Sequence, residues 1–411
     1  MKVSTDLAKK AQQNILSLGD AHSQIRAITE AKFRHVMLDF VEGLFFSEVE
    51  KLCGKPFSRK TDELCHRGGS DPGSVILQGK RISVKKPRVK LGGEEVELKS
   101  YAALQSYDLL CDRVMKHMLA GVSTRNYESL LDEVSGSMGL SKSSVSSAFN
   151  QGSMQALEEL NTRDLSEHRF CVLMMDGIHF SDKMIIVALG ITALGKKIIL
   201  GLKEGHTENF EICKDLLQSL IERGLAAEEN YLFVLDGGKG IRAAVNAVFG
   251  KDAAVQRCSL HKLRNIESYL PKQFHPELFL RWKRIHGHVD YATAVNDYNQ
   301  LLHWLSQKHH EAHNSLLEAN METLTVVRLG VPGLLRKTLH STNAIESAFS
   351  QVSEKSFRVK NWNTGRMQVS RWAAATLLHS EKKFITIKGH KQLPVLIDSL
   401  EKLFAKKQGV A

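Results

Sequence analysis

Short unbroken apolar runs occupy the middle of this chain, while helically spaced apolar positions dominate most of the remainder. Phe170-Cys171-Val172-Leu173-Met174-Met175 closes on Asp176-Gly177, and Tyr231-Leu232-Phe233-Val234-Leu235 closes on Asp236-Gly237-Gly238. An apolar run of about five residues bounded by turn residues suits a strand buried on both faces. Two such strands, each ending in Asp-Gly, hold two carboxylates at one edge of a sheet, where open α/β sheets place their chemistry. Met184 to Ile191 and Lys197 to Leu202 also read as strands, the second entered through Leu194-Gly195. A helix follows from Glu208 to Arg223, with Phe210, Cys213, Leu216, Leu217, Leu220 and Ile221 along one face and Gly224 beyond its end. The Tyr231 strand, a helix from Gly240 to Phe249, a strand from Ala253 to Gln256 and a helix from Ser259 to about Tyr269 complete the series.

The order β-β-β-α-β-α-β-α is that of an RNase H-like fold, in which the first and fourth strands lie side by side. Asp176 and Asp236 are then expected within reach of shared metal ions, because hard divalent cations such as Mg2+ take oxygen ligands. For either Asp-Gly alone a plain turn is the ordinary reading; the matching pair shifts the balance towards metal. Asp236-Gly237-Gly238-Lys239-Gly240 is not a phosphate loop, since the required glycine spacing and Lys-Ser/Thr pair are missing. A phosphoaspartate enzyme would need a second Asp two places after Asp176, where Ile178 stands.

Upstream, Phe33, Val36, Met37, Phe40, Val41, Leu44, Phe45, Val49 and Leu52 have helical spacing, and Gly54 stops that helix. Val75 to Val84 reads as a small hairpin turning at Gln78-Gly79. Its second strand leads into Lys80, Arg81, Lys85, Lys86, Arg88 and Lys90, either a lysine-protected edge or a phosphate-contacting patch. From Tyr101 to Arg163 the pattern is helical. Gly121-Val122-Ser123-Thr124 caps a helix through Val134, a break falls at Ser135 to Gly139, and Leu140-Ser141-Lys142 opens another. This resembles a helix-turn-helix, with Lys142, Ser143, Ser144 and Ser146 on the helix that would enter the major groove, although plain bundles mimic the pattern. Pro271 to about Leu339 is largely helical, with Trp282, Tyr291, Tyr298 and Trp304 among charges; His309, His310 and His313 there read as a solvated face.

Length and charge narrow the function. The 411 residues suggest two or three domains, and 43% hydrophobic content is ample for packed cores. A net charge of +11 and a pI near 9.2 point to a polyanionic partner such as nucleic acid, the alternative being a generic basic surface. Six scattered cysteines without a CxxC pair read as reduced core thiols in a cytoplasmic protein. The N-terminus lacks an apolar signal core, and the longest apolar stretch, Met184 to Leu194, is short and broken by Gly190, so no membrane association is expected.

Glu346 has two readings from spacing alone: Asn343 caps a helix and Glu346 completes a capping box, or Glu346 is a third catalytic carboxylate. Chain order and motifs resemble the bacterial insertion-sequence transposases of the IS256 type, prokaryotic relatives of the Mutator elements. The resemblance rests on Asp176-Gly177-Ile178, Lys203-Glu204-Gly205-His206-Thr207-Glu208-Asn209, Phe233-Val234-Leu235-Asp236-Gly237-Gly238-Lys239-Gly240 and Val255-Gln256-Arg257-Cys258-Ser259-Leu260-His261-Lys262. It continues through Thr325-Val326-Val327-Arg328-Leu329-Gly330-Val331-Pro332 and Ser341-Thr342-Asn343-Ala344-Ile345-Glu346-Ser347.

The resemblance implies an α/β architecture with an RNase H-like catalytic core interrupted by a helical insertion, preceded by a helical N-terminal DNA-binding region containing a small β-hairpin. The expected divisions are 1–100, 101–165, 166–270, 271–340 and 341–411. The family's acidic triad falls on Asp176, Asp236 and Glu346, and its Cys-x-x-His signature on Cys258 and His261; two soft ligands alone do not close a zinc site, so the pair reads as auxiliary active-site residues, a buried thiol and a histidine positioning DNA phosphate or the third acidic residue. The implied chemistry is two-metal cleavage and strand transfer of double-stranded DNA at terminal inverted repeats and target, with Mg2+ as cofactor and Mn2+ able to substitute. Lys239, Arg242, Lys262, Arg264, Arg358, Lys360 and Arg371 are further candidates to face phosphates. Holding two DNA ends together implies a dimer or larger. A non-catalytic repressor derived from a transposase and an RNase H-like structure-specific nuclease are the competing readings.

Overall fold

The computed structural model describes residues 38–56, 65–77, 80–104, 107–121, 127–138, 142–180, 183–205, 207, 209–356 and 367–407. They fall in two compact units, one within Met1–Lys116 and Leu131–Ala148, the other within His117–Leu130 and Phe149–Ala411.

In the first unit, β1 (Cys65–Leu77) pairs antiparallel with β2 (Lys80–Leu91), and β3 (Glu94–Val96) adds to β2. The hairpin is longer than the apolar pattern suggested, because pairing runs from Leu77↔Lys80 back to Cys65↔Leu91 across polar and glycine-rich positions. Positions 78 and 79, where the turn was expected, lie outside the described residues. Residues 38–53 are helical and end at Gly54, whose φ of 73° suits a glycine stop. Val41, Phe45, Val49, Val75, Val84, Val89, Leu98 and Tyr101 form the shared core. Cys53 and Cys65 are joined by a disulfide, with Cα atoms 5.1 Å apart, which corrects the expectation that all six cysteines are free. Cys111, Cys171, Cys213 and Cys258 are free and buried.

Three longer helices follow in the chain: Tyr107–Gly121, Tyr127–Met138 and Lys142–Thr162. The break expected at Ser135 begins later, since helix continues through Ser135-Gly136-Ser137 to Met138.

The second unit is built on a five-stranded sheet ordered β6-β5-β4-β7-β8. β4 (Phe170–Phe180), β5 (Lys183–Thr192) and β6 (Lys197–Gly205) form an antiparallel meander, whereas β7 (Leu232–Leu235) and β8 (Ala254–Arg257) run parallel to β4. Alternate residues of β4 feed two cores. Val172 and Met174 join Leu157, Ile345, Ala373 and Leu377 on one face; Leu173 and Met175 join Leu216, Leu220, Ile241 and Val245 on the other. Burial on both faces is why the strands read as continuous apolar runs.

Helices Phe210–Glu222 and Lys239–Phe249 cover the second face. After helix Ser259–Tyr269 the chain makes an all-helical excursion with its own core around Trp282, Tyr298, Trp304 and Leu316. It returns through helix Gly333–Leu339 to helix Asn343–Ser356. No described helix is long and apolar enough to cross a membrane.

Candidate functional site

The sheet register sets the site. Met175 of β4 lies opposite Leu235 of β7 in the last pair of their parallel ladder, so the next residues, Asp176 and Asp236, leave it at the same level. β7 stops there, and the chain turns through Gly237, whose φ is 108°. Asp236 Oδ1 accepts the Gly238 N–H at 2.9 Å. β4, by contrast, continues past Asp176 to Phe180, because β5 keeps pairing with it through Gly177↔Ile186 and Phe180↔Lys183. Only one of the two expected strand ends is therefore a strand end.

Asp176 is 6% exposed and accepts the Gly177 N–H at 2.9 Å. Burial first, and then the neighbouring Asp236 charge, push its carboxyl up to about 7, against the pull of the Gly177 bond and of His261; Glu346 adds a further push. Asp236, His261 and Glu346 thus all act on Asp176 electrostatically.

Cys258 follows β8, and its N–H donates to Leu235 O at 2.7 Å, placing it beside the end of β7. His261 lies in the first turn of the helix that Cys258 precedes. The Ser259 N–H donates to His340 O at 2.9 Å, which brings the end of the helical excursion back to its beginning. Thr342 then sits where Cys258, His261 and Glu346 meet. Its Oγ1 donates to Glu346 Oε1 at 2.6 Å and lies 3.4 Å from Cys258 Sγ and 3.5 Å from His261 Nδ1. The capping-box reading does not describe Glu346. Asn343 is already the first helical residue, and the Glu346 carboxylate takes the Thr342 hydroxyl.

His261 Nε2 is 3.9 Å from Glu346 Oε1. The Cys258 hydrogen bond raises the His261 pKa to about 9 against the effect of burial, and the charges of Cys258, Glu346 and Asp176 assist. Burial pushes the Cys258 thiol up, but its hydrogen bonds with His261 and Thr342 outweigh this and leave it below its ordinary value. One ligand atom each from Cys258, His261 and Glu346 lies within 4.8 Å of the others. Among the described residues no other group of three or more potential ligands is so closely spaced, and Asp176, Asp236 and Glu346 alone do not reach that spacing.

Arg257 supports the turn after Asp236. It is 8% exposed, donates through Nη2 to Gly237 O at 3.1 Å and pairs with Glu318 at 2.9 Å. Gly237 is required here twice over, by its positive φ and because a Cβ would run into the Arg257 guanidinium. Buried Gln256 ties the excursion to the sheet, donating to Thr323 O at 2.9 Å and accepting the Val326 N–H at 3.0 Å. Sequence reasoning missed Thr342, Arg257 and Gln256. The available signals were a hydroxyl residue just before a helix start and two polar residues in a four-residue buried strand.

The basic residues divide into several groups. Lys85, Lys90, Lys142, Ser143, Lys239 and Arg264 are exposed, and Ser144 and Ser146 are half-buried; Lys142 also pairs with Asp132 at 2.5 Å. Lys80 and Arg81 open β2. The Lys86 ammonium lies 5.0 Å from the Tyr101 ring centroid, and Arg88 is met by Asp71 and Glu95 from the flanking strands. Arg242 pairs with Glu322 at 2.8 Å.

Two of the candidate phosphate contacts are buried and internally paired. Lys262 is 2% exposed, and its ammonium donates to Ser315 O at 2.8 Å and Glu318 at 3.0 Å, bracing the excursion. Arg371, 5% exposed, donates to Asn150 Oδ1 at 2.7 Å and Ser153 Oγ at 2.9 Å inside the unit. Arg358 and Lys360 lie outside the described residues.

The family model described as "Transposase, Mutator family" matches residues 8–385. The chain is 29% identical over 304 residues to the transposase for insertion sequence element IS1201 of Lactobacillus helveticus, covering 72% of this chain and 79% of that one. It is 28% identical over 343 residues to the transposase for ISRM5 of Rhizobium meliloti (strain 1021), covering 80% and 82%. It is likewise 28% identical over 320 residues to the transposase for IS256 in transposon Tn4001 of Staphylococcus aureus, covering 75% and 79%.

Proposed function

Because the chain belongs to the Mutator family of transposases, we propose that it cuts double-stranded DNA at the terminal inverted repeats of an insertion sequence and joins the freed ends to target DNA. Asp176, Asp236 and Glu346 are the acidic residues of this reaction. The observation that carries the reading is the β4/β7 register, which puts Asp176 and Asp236 level with each other, one residue past the last pair of the parallel ladder. The strand order, with an antiparallel meander on one side of β4 and two parallel strands on the other, supports an RNase H-like core.

The donor set fits a hard divalent cation. Two adjacent carboxylates, one of them buried and driven up to about 7 largely by burial and its neighbour's charge, form a site that a cation stabilises. Asp176, Asp236 and Glu346 would hold Mg2+, or Mn2+ in its place, which when bound supplies Lewis-acid stabilisation of charge on the phosphate under attack. The chain's own groups arrange the carboxylates. Thr342 fixes the Glu346 carboxylate by a hydrogen bond, His261 sets a positive charge 3.9 Å from it, and Arg257 holds the turn that aims Asp236. Water attacks the phosphodiester first, and the freed 3′ hydroxyl then attacks the target phosphodiester in line. Lys239 and Arg264, exposed on the helices that follow β7 and β8, and the exposed cations Lys85, Lys90 and Lys142 of the N-terminal region contact phosphates. Two copies or more act on paired ends.

Labelled terminal-repeat duplexes incubated with Mg2+ test this. Asp176→Asn, Asp236→Asn and Glu346→Gln should each bind the ends yet lose cleavage and joining by at least about a hundredfold, roughly 3 kcal/mol of barrier. Full joining by Glu346→Gln removes Glu346 from the triad and leaves Glu354 as the nearest substitute. End binding without cutting identifies a repressor, and cutting of branched DNA without joining identifies a nuclease.

A further inference from the structure

We propose that Cys258, His261 and Glu346 form a binding site for a thiophilic divalent cation such as Zn2+, and that filling it switches the acidic centre off. The binding half stands on the cluster's own geometry, while the switching half rests on the proposed role of Glu346 in strand transfer.

Two separate helix starts supply the ligands. Cys258 and His261, three residues apart, come from the residue before helix Ser259–Tyr269 and from its first turn; Glu346 comes from the first turn of helix Asn343–Ser356. The two starts are held together by the Ser259 N–H on His340 O at 2.9 Å, so the ligand-bearing turns are fixed before any ion arrives. One atom each of sulfur, imidazole nitrogen and carboxylate oxygen lies within 4.8 Å of the others, and the Thr342 hydroxyl marks the point where they converge. A bound ion draws the three ligands in by about an ångström and takes the place of that hydroxyl, which swings aside about one bond.

The donor set determines which ion is taken. Thiolate and imidazole favour Zn2+ and its soft relatives, and are poor partners for Mg2+. Cys258, which magnesium chemistry at the two aspartates does not use, thereby acquires a role as a ligand. Three protein ligands leave a fourth position open to water, unlike the closed four-ligand structural sites. Glu346 cannot serve both ions. When it ligates a soft cation beside Cys258, it is withdrawn from the set made with Asp176 and Asp236, and strand joining stops until the ion leaves.

The test uses the full-length, metal-stripped chain titrated with Co2+ alone, which reports thiolate ligation by a charge-transfer absorption. One equivalent should bind and produce that absorption, and one equivalent of Zn2+ should remove it. Cys258→Ala should abolish the band, Cys53→Ser should retain it, and Glu346→Gln should weaken Co2+ binding by about tenfold or more. Absence of the band, or its survival in Cys258→Ala, overturns the site. In the joining assay with Mg2+ in excess, Zn2+ equimolar with protein should block the reaction and a chelator selective for Zn2+ should restore it. Unchanged joining with the site spectroscopically filled overturns the switch. The spectrum needs no DNA, so a chain that shows the band but never joins ends refutes the proposed function and leaves the metal site standing.

Discussion

Glu318→Gln tests whether the helical excursion is braced to the sheet through buried charge. Glu318 is shared by Arg257 at 2.9 Å and Lys262 at 3.0 Å, and those two cations are 8% and 2% exposed. Removing its charge strands two largely buried cations. Each charge-assisted bond lost is worth about 1.5–3 kcal/mol. The total is smaller than their sum, because the Glu318 side chain is 42% exposed, so water fills in, and Lys262 keeps Ser315 O. A loss of about 2 kcal/mol is expected, roughly 4–8 °C in the melting temperature of the second unit, read by calorimetry or circular dichroism. Lys262→Met should relieve part of that loss when combined with Glu318→Gln, since the ammonium that needed the carboxylate is gone. Lys262→Met should also leave the salt dependence of DNA binding unchanged. A salt slope reduced by about one with that variant, together with a Glu318→Gln melting shift under ~1 °C, would show that Lys262 meets phosphate and that the internal brace is wrong.

Three further outcomes follow from the same geometry. Asp176, raised to about 7 in the folded chain from an ordinary 3.8, is protonated longer in the fold than when unfolded. Its contribution is therefore full below about pH 4 and is lost as pH rises through 7, so metal-free Asp176→Asn should match the parent near pH 4 and melt higher at pH 8, by at most about 4 kcal/mol. Gly237→Ala adds about 1–2 kcal/mol of left-handed strain and displaces Arg257, so it should lower both melting temperature and cleavage; Gly250→Ala, at φ 88° with open space around it, should show the strain alone. Equal cleavage by the two variants would count against the Arg257 support. Cys53→Ser should lower the first unit's stability by about 3 kcal/mol, and a reductant should do the same to the parent but not to the variant, a reading refuted if alkylation finds both thiols free in air-purified protein.

The central strands were legible because Met174 and Val234 on one face and Met175 and Leu235 on the other are all buried, and a run with no polar face has few alternatives to a covered strand. The end of β4 was not legible. Asp176-Gly177 reads as a turn locally, and only the partner strand β5 carries the ladder on to Phe180. The surroundings of the basic residues were not legible for a related reason. Sequence reports a charge but not its partner, and the partners of Lys262 and Arg371 lie far along the chain at Glu318, Asn150 and Ser153. Glu346 was left between two roles because a shift of one residue in the helix start, from Asn343 as cap to Asn343 as first turn, separates a backbone cap from a side chain directed at His261. The Cys53–Cys65 bond joins a helix end to a strand start, and no spacing rule announces such a pair.

The backbone bond from Ser259 to His340 gives the helical excursion a closed neck, entered and left at one place. Residues of the excursion that make neither this bond nor the Gln256 and Glu318 ties can lengthen, shorten or be exchanged without altering how its base is seated. Glu346 is therefore placed by the neck, and most of the excursion can be remodelled while the acids below stay where they are.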